Sequence, residues 1–364
     1  ATDIDFDELL DYLGRDSRTT AIMLYIDSVN EKRHFLSAAR AAARNKPILV
    51  IKSGRSQEGT NAAKLHTGGE IGNDAVYEAA FRRAGMLRVN DLVELFAAVE
   101  TLAHSAPLQG ERLAILSNGG GPGVLGIDQL ILCGGKPATL DDETFDKLNA
   151  FLPDTWSGQN PVDIGGDADA KRYTQSLDVL MNSDIADAIL VLHSPSALGD
   201  GIEIADSIID LIAKHPRRNR VNVLTNWSGE DSAYQARKHF NRAGVPTYRT
   251  PEGAVGAFMH MVEYRRNQKL LQEVPQSIPD NIPTDAQLAR RLLNQAINEN
   301  KQVIETHEAS AILKAYGLNT IETHFAATAT AAAARIPPAI RRRYRRSDAA
   351  IPRSTAHWLK RGCR

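Results

Sequence analysis

Short continuous apolar runs alternate along this chain with longer stretches in which apolar positions recur every three or four residues. Ala21 to Ile26 and Pro47 to Lys52 have the length and content of buried strands, while Asn30 to Arg44 and Asn73 to Ala84 carry the helical period. A short strand at Met86 to Val89 follows, then a helix from Asp91 to His104 with Asn90 or Asp91 as its N-cap. Strands without polar alternation are buried on both faces, which requires helices on both sides of a parallel sheet. The pattern therefore predicts a doubly wound α/β layer.

Pro107 to Glu111 forms a turn-rich joint, after which the alternation restarts. Strands are expected at Arg112 to Ser117, Lys136 to Leu140, Asp187 to His193 and Val221 to Asn226. Helices are expected at Pro122 to Leu132, Gly201 to Lys214, Asp231 to Ala243 and Pro251 to Leu271. The fold class that results is α/β, with two flavodoxin-like doubly wound parallel-sheet domains at residues 1–106 and 107–272. Residues 273–284 hold Pro275, Pro279 and Pro283 and read as an extended linker. Asp285 to Asn298 and His307 to Tyr316 again carry the helical period.

Composition narrows the class. At 364 residues and 43% hydrophobic content the chain can fill real cores, and no apolar run approaches the ~20 residues of a membrane span. Cys133 and Cys363 are the two cysteines, too few for a disulfide framework or a zinc-type spacing. No signal-peptide pattern opens the sequence, and a cytoplasmic setting is expected. The net charge of −1 hides an asymmetry: residues 335–364 hold ten Lys or Arg against Asp348 alone, so the remainder is acidic. An acidic body is a poor nucleic-acid binder, and no nucleic-acid or membrane partner is expected.

Several residues stand where chemistry is done. His66 lies in Lys64-Leu65-His66-Thr67-Gly68-Gly69-Glu70-Ile71-Gly72, between an expected strand and an expected helix start. Imidazole is nucleophilic near neutral pH, flanking glycines let the backbone approach a ligand, and a helix N-terminus attracts anions. An exposed loop histidine beside an ordinary cap has the same spacing. Gly119, Gly120, Gly121 and Gly123 surround the expected start of a helix at Pro122, and successive unshielded N–H groups make an anion nest. A ligand-free tight turn is equally common. Asn160 and Asp163, flanking Pro161-Val162, suit a turn that caps backbone groups. His193 and Asn226 end expected strands on the side where such folds gather ligands, and with Asn160 and Asp163 are candidate crevice residues. No metal site is expected.

The run from Lys46 to Gly85 resembles the active-site segment of the NDP-forming acyl-CoA synthetases, relatives of the succinyl-CoA synthetase α subunit. The residues that carry the resemblance are Lys46-Pro47, Lys52-Ser53-Gly54-Arg55, Leu65-His66-Thr67-Gly68, Asp74-Ala75-Val76-Tyr77 and Ala80-Phe81-Arg82-Arg83-Ala84-Gly85. The resemblance covers roughly residues 1–330. Thr247 to Gly253 and Phe258 to Gln268 set it nearest the long fused members that acetylate protein lysines. It implies that His66 takes a phosphoryl group from an acyl phosphate and passes it to a nucleoside diphosphate. Leu65 replaces the usual serine. Asp27 occupies the place of a family glutamate that hydrogen-bonds the histidine, though one methylene shorter.

The resemblance further implies coenzyme A and ATP or ADP with Mg2+ as ligands, an acyl substrate, and compatibility with a homo-oligomer. It makes 1–106 a flavodoxin domain incomplete at its start, 107–272 a second ligase-type domain, and 285–334 the entry to an ATP-grasp domain. Residues 335–364 match no part of the family and are expected to be an out-of-frame, disordered tail. The implied function is part of an acid–thiol ligase: acid, CoA and ATP give acyl-CoA, ADP and phosphate. The alternative is a non-catalytic CoA- or acyl-CoA-sensing region of a lysine acetyltransferase. A receiver-like signalling protein would need an acidic cluster at strand ends, and none is evident.

Overall fold

The structure is a computed structural model that describes residues 4–67, 71–196, 199–273, 284–321, 326, 328 and 331, with only the backbone described at His66, Thr67 and Ser232. It divides into one unit up to Glu273 and a second from Val274 onward.

The first unit begins with α1 (Phe6–Arg15), β1 (Ile22–Ile26), α2 (Lys32–Ala43) and β2 (Ile48–Lys52). It continues through α3 (Gln57–Thr67), α4 (Asp74–Arg83), β3 (Leu87–Val89) and α5 (Leu92–His104). The three strands are parallel in the order β1-β2-β3. β2 is central and buried throughout. Ile48 and Val50 pack with Leu10, Phe35, Ala39 and Phe81 on one face, and Leu49 and Ile51 pack with Leu87, Val89, Leu95 and Ala98 on the other. β1 alternates, burying Ile22, Leu24 and Ile26 while Met23 and Tyr25 stay exposed, as suits an edge strand covered on one face. α5 starts where Asp91 accepts from the Glu94 N–H at 2.8 Å, and the Glu94 carboxylate in turn accepts from the Asn90 N–H at 2.7 Å.

A second sheet follows, built from β4 (Arg112–Ser117), β5 (Lys136–Pro137), β6 (Val162–Asp163), β7 (Ala188–His193), β8 (Asn222–Trp227) and β9 (Thr247–Tyr248). The order is β5-β4-β7-β8-β9, all parallel, with β6 also paired to β4. Its helices are α6 (Gly120–Leu132), α7 (Asp142–Asn149), α8 (Ala170–Asn182), α9 (Gly201–Lys214), α10 (Asp231–Arg242) and α11 (Pro251–Gln272). Both sheets are thus flavodoxin-like α/β layers.

β5 and β6 share the same edge of β4, one at each end of it. The gap between them is closed by Asn160, whose side-chain oxygen accepts from the Ile115 N–H at 2.8 Å. Its amide donates to Leu113 O and Ala138 O, both at 3.0 Å. One side chain thus does a strand's work, which is why β5 stops well short of the stretch expected to reach Leu140.

α11 ties the two sheets together. Phe258, Met261 and Val262 belong to the core of the second sheet, and Leu271 to that of the first. Its Asn267 amide donates to Met86 O at 2.7 Å, and its Gln268 amide to Gly85 O at 2.9 Å. Gly85 has φ +76°, and a Cβ there would lie 2.7 Å from Leu271 Cδ2, so this junction requires glycine.

In the second unit α12 (Ala286–Asn298) packs on α13 (Thr306–Ala315), and the Asp285 N–H donates to Ala315 O at 2.7 Å. Glu305 and Glu308 form a capping box at the start of α13. The linker expected at 273–284 falls on residues 274–283, and the tail expected at 335–364 falls beyond 331; both lie outside the described residues.

Two helix starts differ from expectation. α6 begins at Gly120 rather than Pro122. The segment expected to hold His66 in a free loop is instead α3, and His66 sits in its last turn. α3 has a polar sequence with no apolar stripe, so periodicity does not reveal it. Ser56 starts it by accepting from the Gly59 N–H at 3.0 Å.

Candidate functional site

The carboxyl end of the first sheet gathers Asp27, Lys52, Ser53 and Tyr77. Asp27 follows β1 directly, and its carboxylate accepts a hydrogen bond from the Ser53 hydroxyl. The Ser53 N–H continues the ladder to Ile26 O at 3.0 Å. Lys52 ends the central strand and is 1% exposed. Its ammonium donates to Ser53 O and sits 4.8 Å from the centre of the Tyr77 ring. Burial pushes its pKa below the ordinary lysine value, against the opposing pull of Asp74 and Asp27 and with a further downward push from Arg88. The Tyr77 hydroxyl accepts from the Val29 N–H at 3.0 Å, which fixes the ring.

Two turns bracket the segment that carries His66. Gly54 has φ +67°, and a Cβ there would lie 2.8 Å from Ile71 Cγ2; Gly72 has φ +74°, and a Cβ there would lie 3.0 Å from the Tyr77 ring. The chain therefore leaves the sheet at Gly54, runs through α3, and returns at Ile71 to touch the turn it left. α4 then begins with Asn73 accepting from the Ala75 N–H at 2.9 Å. A cavity of about 530 Å³ opens here, lined by Arg55, Thr60, Lys64, Gly72, Asn73 and Asp74 among others. The side chain of His66 is outside the described residues, so its contact with Asp27 stays an expectation.

At the second sheet the glycine turn is smaller as an anion nest than its four glycines suggest. Gly119 is the N-cap, and its N–H goes to Ser117 Oγ at 3.1 Å; the Gly123 N–H goes to Gly119 O at 3.3 Å, and Pro122 has none to give. Gly120 and Gly121 are left with N–H groups that have no recorded partner among the described residues. Asp163 stands beside them, for a Cβ on Gly120 would lie 3.3 Å from its carboxylate oxygen. Its other oxygen accepts from the Gly165 N–H at 3.0 Å. A carboxylate already faces the positive end of α6, which weakens the pull on a second anion.

Of the candidate crevice residues, His193 and Asn226 lie in the interior, while Asn160 and Asp163 are half-buried. His193 is 3% exposed, stacks on Trp227 with ring centres 4.8 Å apart, and meets the Tyr173 hydroxyl through Nδ1 at 3.0 Å. The Tyr173 hydroxyl donates to Leu192 O at 3.1 Å, which leaves its oxygen to accept from His193 Nδ1–H. Burial lowers the His193 pKa to about 4, so the ring is neutral at pH 7. Asn226 is fully buried and donates to Tyr248 O at 3.0 Å. Asn160 is spent on β4. Among these residues only Asp163 joins the glycine turn.

Asn118, unmarked in the sequence, clamps Ser194 by accepting from its N–H at 2.8 Å and donating to its carbonyl at 2.9 Å. No hydrogen bond or ion pair joins the first cluster to the second among the described residues. A cavity of about 980 Å³ between α5 and α11 includes none of the candidate site residues. Among the described residues no group of three His, Cys, Asp or Glu is placed to hold a metal ion, and no helix is long and apolar enough to cross a membrane.

Lys52 and Tyr77 were part of the quoted family motifs without a role. The available signal for Lys52 was a lysine closing an otherwise wholly apolar strand, Ile48-Leu49-Val50-Ile51-Lys52.

Residues 1–102 match the succinyl-CoA ligase like flavodoxin domain. The chain is 30% identical over 315 residues to acetate–CoA ligase [ADP-forming] I of Archaeoglobus fulgidus, covering 86% of this chain and 44% of the relative. It is 32% identical over 268 residues to the α subunit of acetate–CoA ligase [ADP-forming] II of Pyrococcus furiosus, covering 73% of this chain and 58% of the relative. A solved structure of the dinucleotide forming acetyl-coenzyme A synthetase 1 of Ca. Korarchaeum cryptofilum, in complex with phosphate and ADP, superposes with a TM-score of 0.70 at 30% identity. That match covers 74% of this chain and 59% of the other. The chain thus spans roughly half the length of these relatives, and most of its own length is related to ADP-forming acetate–CoA ligases.

Proposed function

We propose that this chain is the phosphoryl-carrying part of an ADP-forming acid–CoA ligase, with His66 as the residue that is phosphorylated. The observation that carries the reading is the strand-end cluster of Asp27, Ser53 and Lys52, placed where the chain departs into the helix that bears His66. The similarity to acetate–CoA ligases over most of the chain supports it.

In the step assigned to this part, an imidazole nitrogen attacks the phosphorus of an acyl phosphate. The P–O bond to the acyl group breaks, the carboxylate leaves, and a P–N bond forms as the imidazole proton is given up. Transfer to a nucleoside diphosphate then restores the histidine. Such transfer depends mostly on positioning and charge stabilisation, because little covalent chemistry falls to the protein. Asp27 is assigned to hold one imidazole nitrogen so that the other faces phosphorus. Gly120 and Gly121 offer two N–H donors at the other sheet, the place for the second half of the transfer. Coenzyme A, ATP or ADP with Mg2+, and an acyl substrate are the ligands of the whole enzyme in this reading, with a cytoplasmic setting.

The test is phosphoryl labelling. Incubation with acetyl phosphate labelled on phosphorus is expected to give an acid-labile, base-stable adduct that maps to His66 and vanishes in His66→Ala. Equal labelling of the variant and the wild type overturns the assignment. If no labelling occurs, with acetyl phosphate here or with ATP in a full-length relative, the reading passes to a non-catalytic acyl-CoA-sensing region.

A further inference from the structure

A buried ammonium ordinarily keeps a carboxylate or several carbonyl oxygens around it, because desolvating an unpaired charge is expensive. Lys52 has neither among the described residues. Its recorded hydrogen bond goes to Ser53 O, and Tyr77 presents a ring face to it at 4.8 Å. The two acids that influence it are engaged elsewhere. Asp27 accepts from Ser53, and Asp74 is bound by Arg88 at 2.6 Å, whose other nitrogen reaches Glu78 at 3.0 Å. An ammonium has three donors, so after the carbonyl and the ring one remains unspent. A methionine of similar length would fill the same space without a charge to bury.

Position adds to charge. Lys52 stands at the carboxyl end of the central strand, the side of a doubly wound sheet where ligands collect. One residue intervenes before Gly54, against which Ile71 packs to close the His66 segment. The cation therefore lies at the neck of the segment proposed to carry phosphate.

We infer that the Lys52 ammonium binds a phosphoryl group at the carboxyl end of β2, neutralising the charge that arrives there during transfer. The inference rests on the phosphohistidine reading and gives that site its cation. The shared ligand chemistry is a tetrahedral phosphoryl oxyanion, whether free phosphate or the group on His66. The charged and titratable neighbours are Asp27 after β1, Asp74 and Tyr77 on α4, and Arg88 on β3.

The experiment follows the Lys52 side chain directly in the wild-type chain. Lysines are labelled with 13C at Cε, the Lys52 signal is assigned by its loss in Lys52→Arg, and its titration is recorded three ways. These are in chloride, in inorganic phosphate at equal ionic strength, and after treatment with acetyl phosphate. An opposing charge favours the ammonium, so phosphate and phosphorylation are both expected to move its midpoint upward. Lys52→Met is expected to bind inorganic phosphate at least tenfold more weakly and to label His66 at least tenfold more slowly, with partial recovery in Lys52→Arg. A purely structural lysine would show no phosphate-dependent midpoint.

An unmoved Lys52 midpoint alongside normal His66 labelling overturns the inference and leaves the phosphohistidine reading intact. A phosphate-dependent midpoint without labelling supports the cation site and removes His66 as carrier. Wild-type phosphate affinity in Lys52→Met also overturns the inference. If that variant fails to fold, the wild-type titration decides alone.

Discussion

The two sheets share a parallel doubly wound design but differ at their carboxyl ends. At the second, buried or half-buried polar side chains are bonded to the surrounding fold: His193 to Tyr173 on α8, Asn226 to Tyr248 O, Asn118 to both backbone groups of Ser194, and Asn160 across the gap between β5 and β6. At the first, a buried lysine retains a donor, and a carboxylate holds a serine hydroxyl beside it. Amides spent on neighbouring backbone mark groups that build the fold. An unspent donor does not by itself mark a ligand site, since Arg237 beside β8 also keeps a buried nitrogen without a partner among the described residues. Lys52 combines an unspent donor with a strand end that leads into α3. Position at a strand end is therefore not enough to name a functional residue.

The comparison breaks most sharply on two histidines. His66→Ala is expected to abolish phosphoryl labelling and leave thermal unfolding nearly unchanged. His193→Ala is expected to keep labelling under folding conditions and to lose about 3 kcal/mol of stability, in the range of large buried truncations. Labelling assays paired with denaturant titrations check both. The opposite pattern would exchange the roles assigned to the two sheets.

Acid should find the second sheet through the same residue. The His193 pKa falls to about 4 in the folded chain, against an ordinary value of 6.5. The unfolded chain therefore binds the proton first. Its contribution is fully present above pH 6.5 and is lost as pH falls toward 4, by about 3 kcal/mol. His193→Gln should flatten unfolding midpoints across that window. Glu111 is held near pKa 2, with its hydrogen bond from Arg266 the largest cause, against an ordinary 4.5. Its share disappears only between pH 4.5 and 2, so the two windows overlap little.

Asn160→Ala removes the side chain that stands in for a strand. Ile115 N–H, Leu113 O and Ala138 O would lose their partners, and unpaired buried backbone groups cost ~1–3 kcal/mol each before water relieves them. A net loss of about 2 kcal/mol is expected, with faster amide exchange at Ile115. Unchanged exchange there would show that the edge of β4 closes without Asn160.

Much of this was legible in the sequence because strands buried on both faces leave continuous apolar runs. Ile48 to Ile51 and Ala188 to Leu192 announced central strands. What escaped lacks a pattern. α3 is polar around its circumference, so its sequence resembles a loop, and α7 and α8 lie in a stretch where the pattern predicts no elements. β6 is two residues long and paired only with β4. Asn160 has the sequence context of a turn residue, and nothing in Asn160-Pro161-Val162-Asp163 says that its amide completes a ladder. At the candidate site, the roles proposed for His66 and Asp27 rest on resemblance. The distinction between an open Lys52 and a closed His193 needed burial and partners, which no spacing encodes.

Asp27→Asn sharpens the comparison by a smaller amount. The amide keeps an oxygen for the Ser53 hydroxyl, so the local fold survives and stability should move by less than about 1 kcal/mol. What disappears is a negative charge able to hold an imidazole nitrogen as its ring becomes cationic. Labelling of His66 is expected to slow about tenfold, or ~1.4 kcal/mol in the barrier.

The smallest effect is expected on the outer face of β1. Met23 and Tyr25 are 48% and 62% exposed, while their neighbours Ile22, Leu24 and Ile26 are buried against α1 and α2. Because the strand alternates, Tyr25→Ser removes apolar area that the described fold leaves largely in water, and the change in stability should stay within about 0.5 kcal/mol. Leu24→Ala, one residue away on the other face, should cost about 3 kcal/mol by opening a cavity beside Phe35 and Ala39. Denaturant midpoints of the two variants, at equal m-values, measure the difference directly. A large loss in Tyr25→Ser would mean that this face is covered in solution, and the first sheet would then be closed on a side where its contacts leave it open.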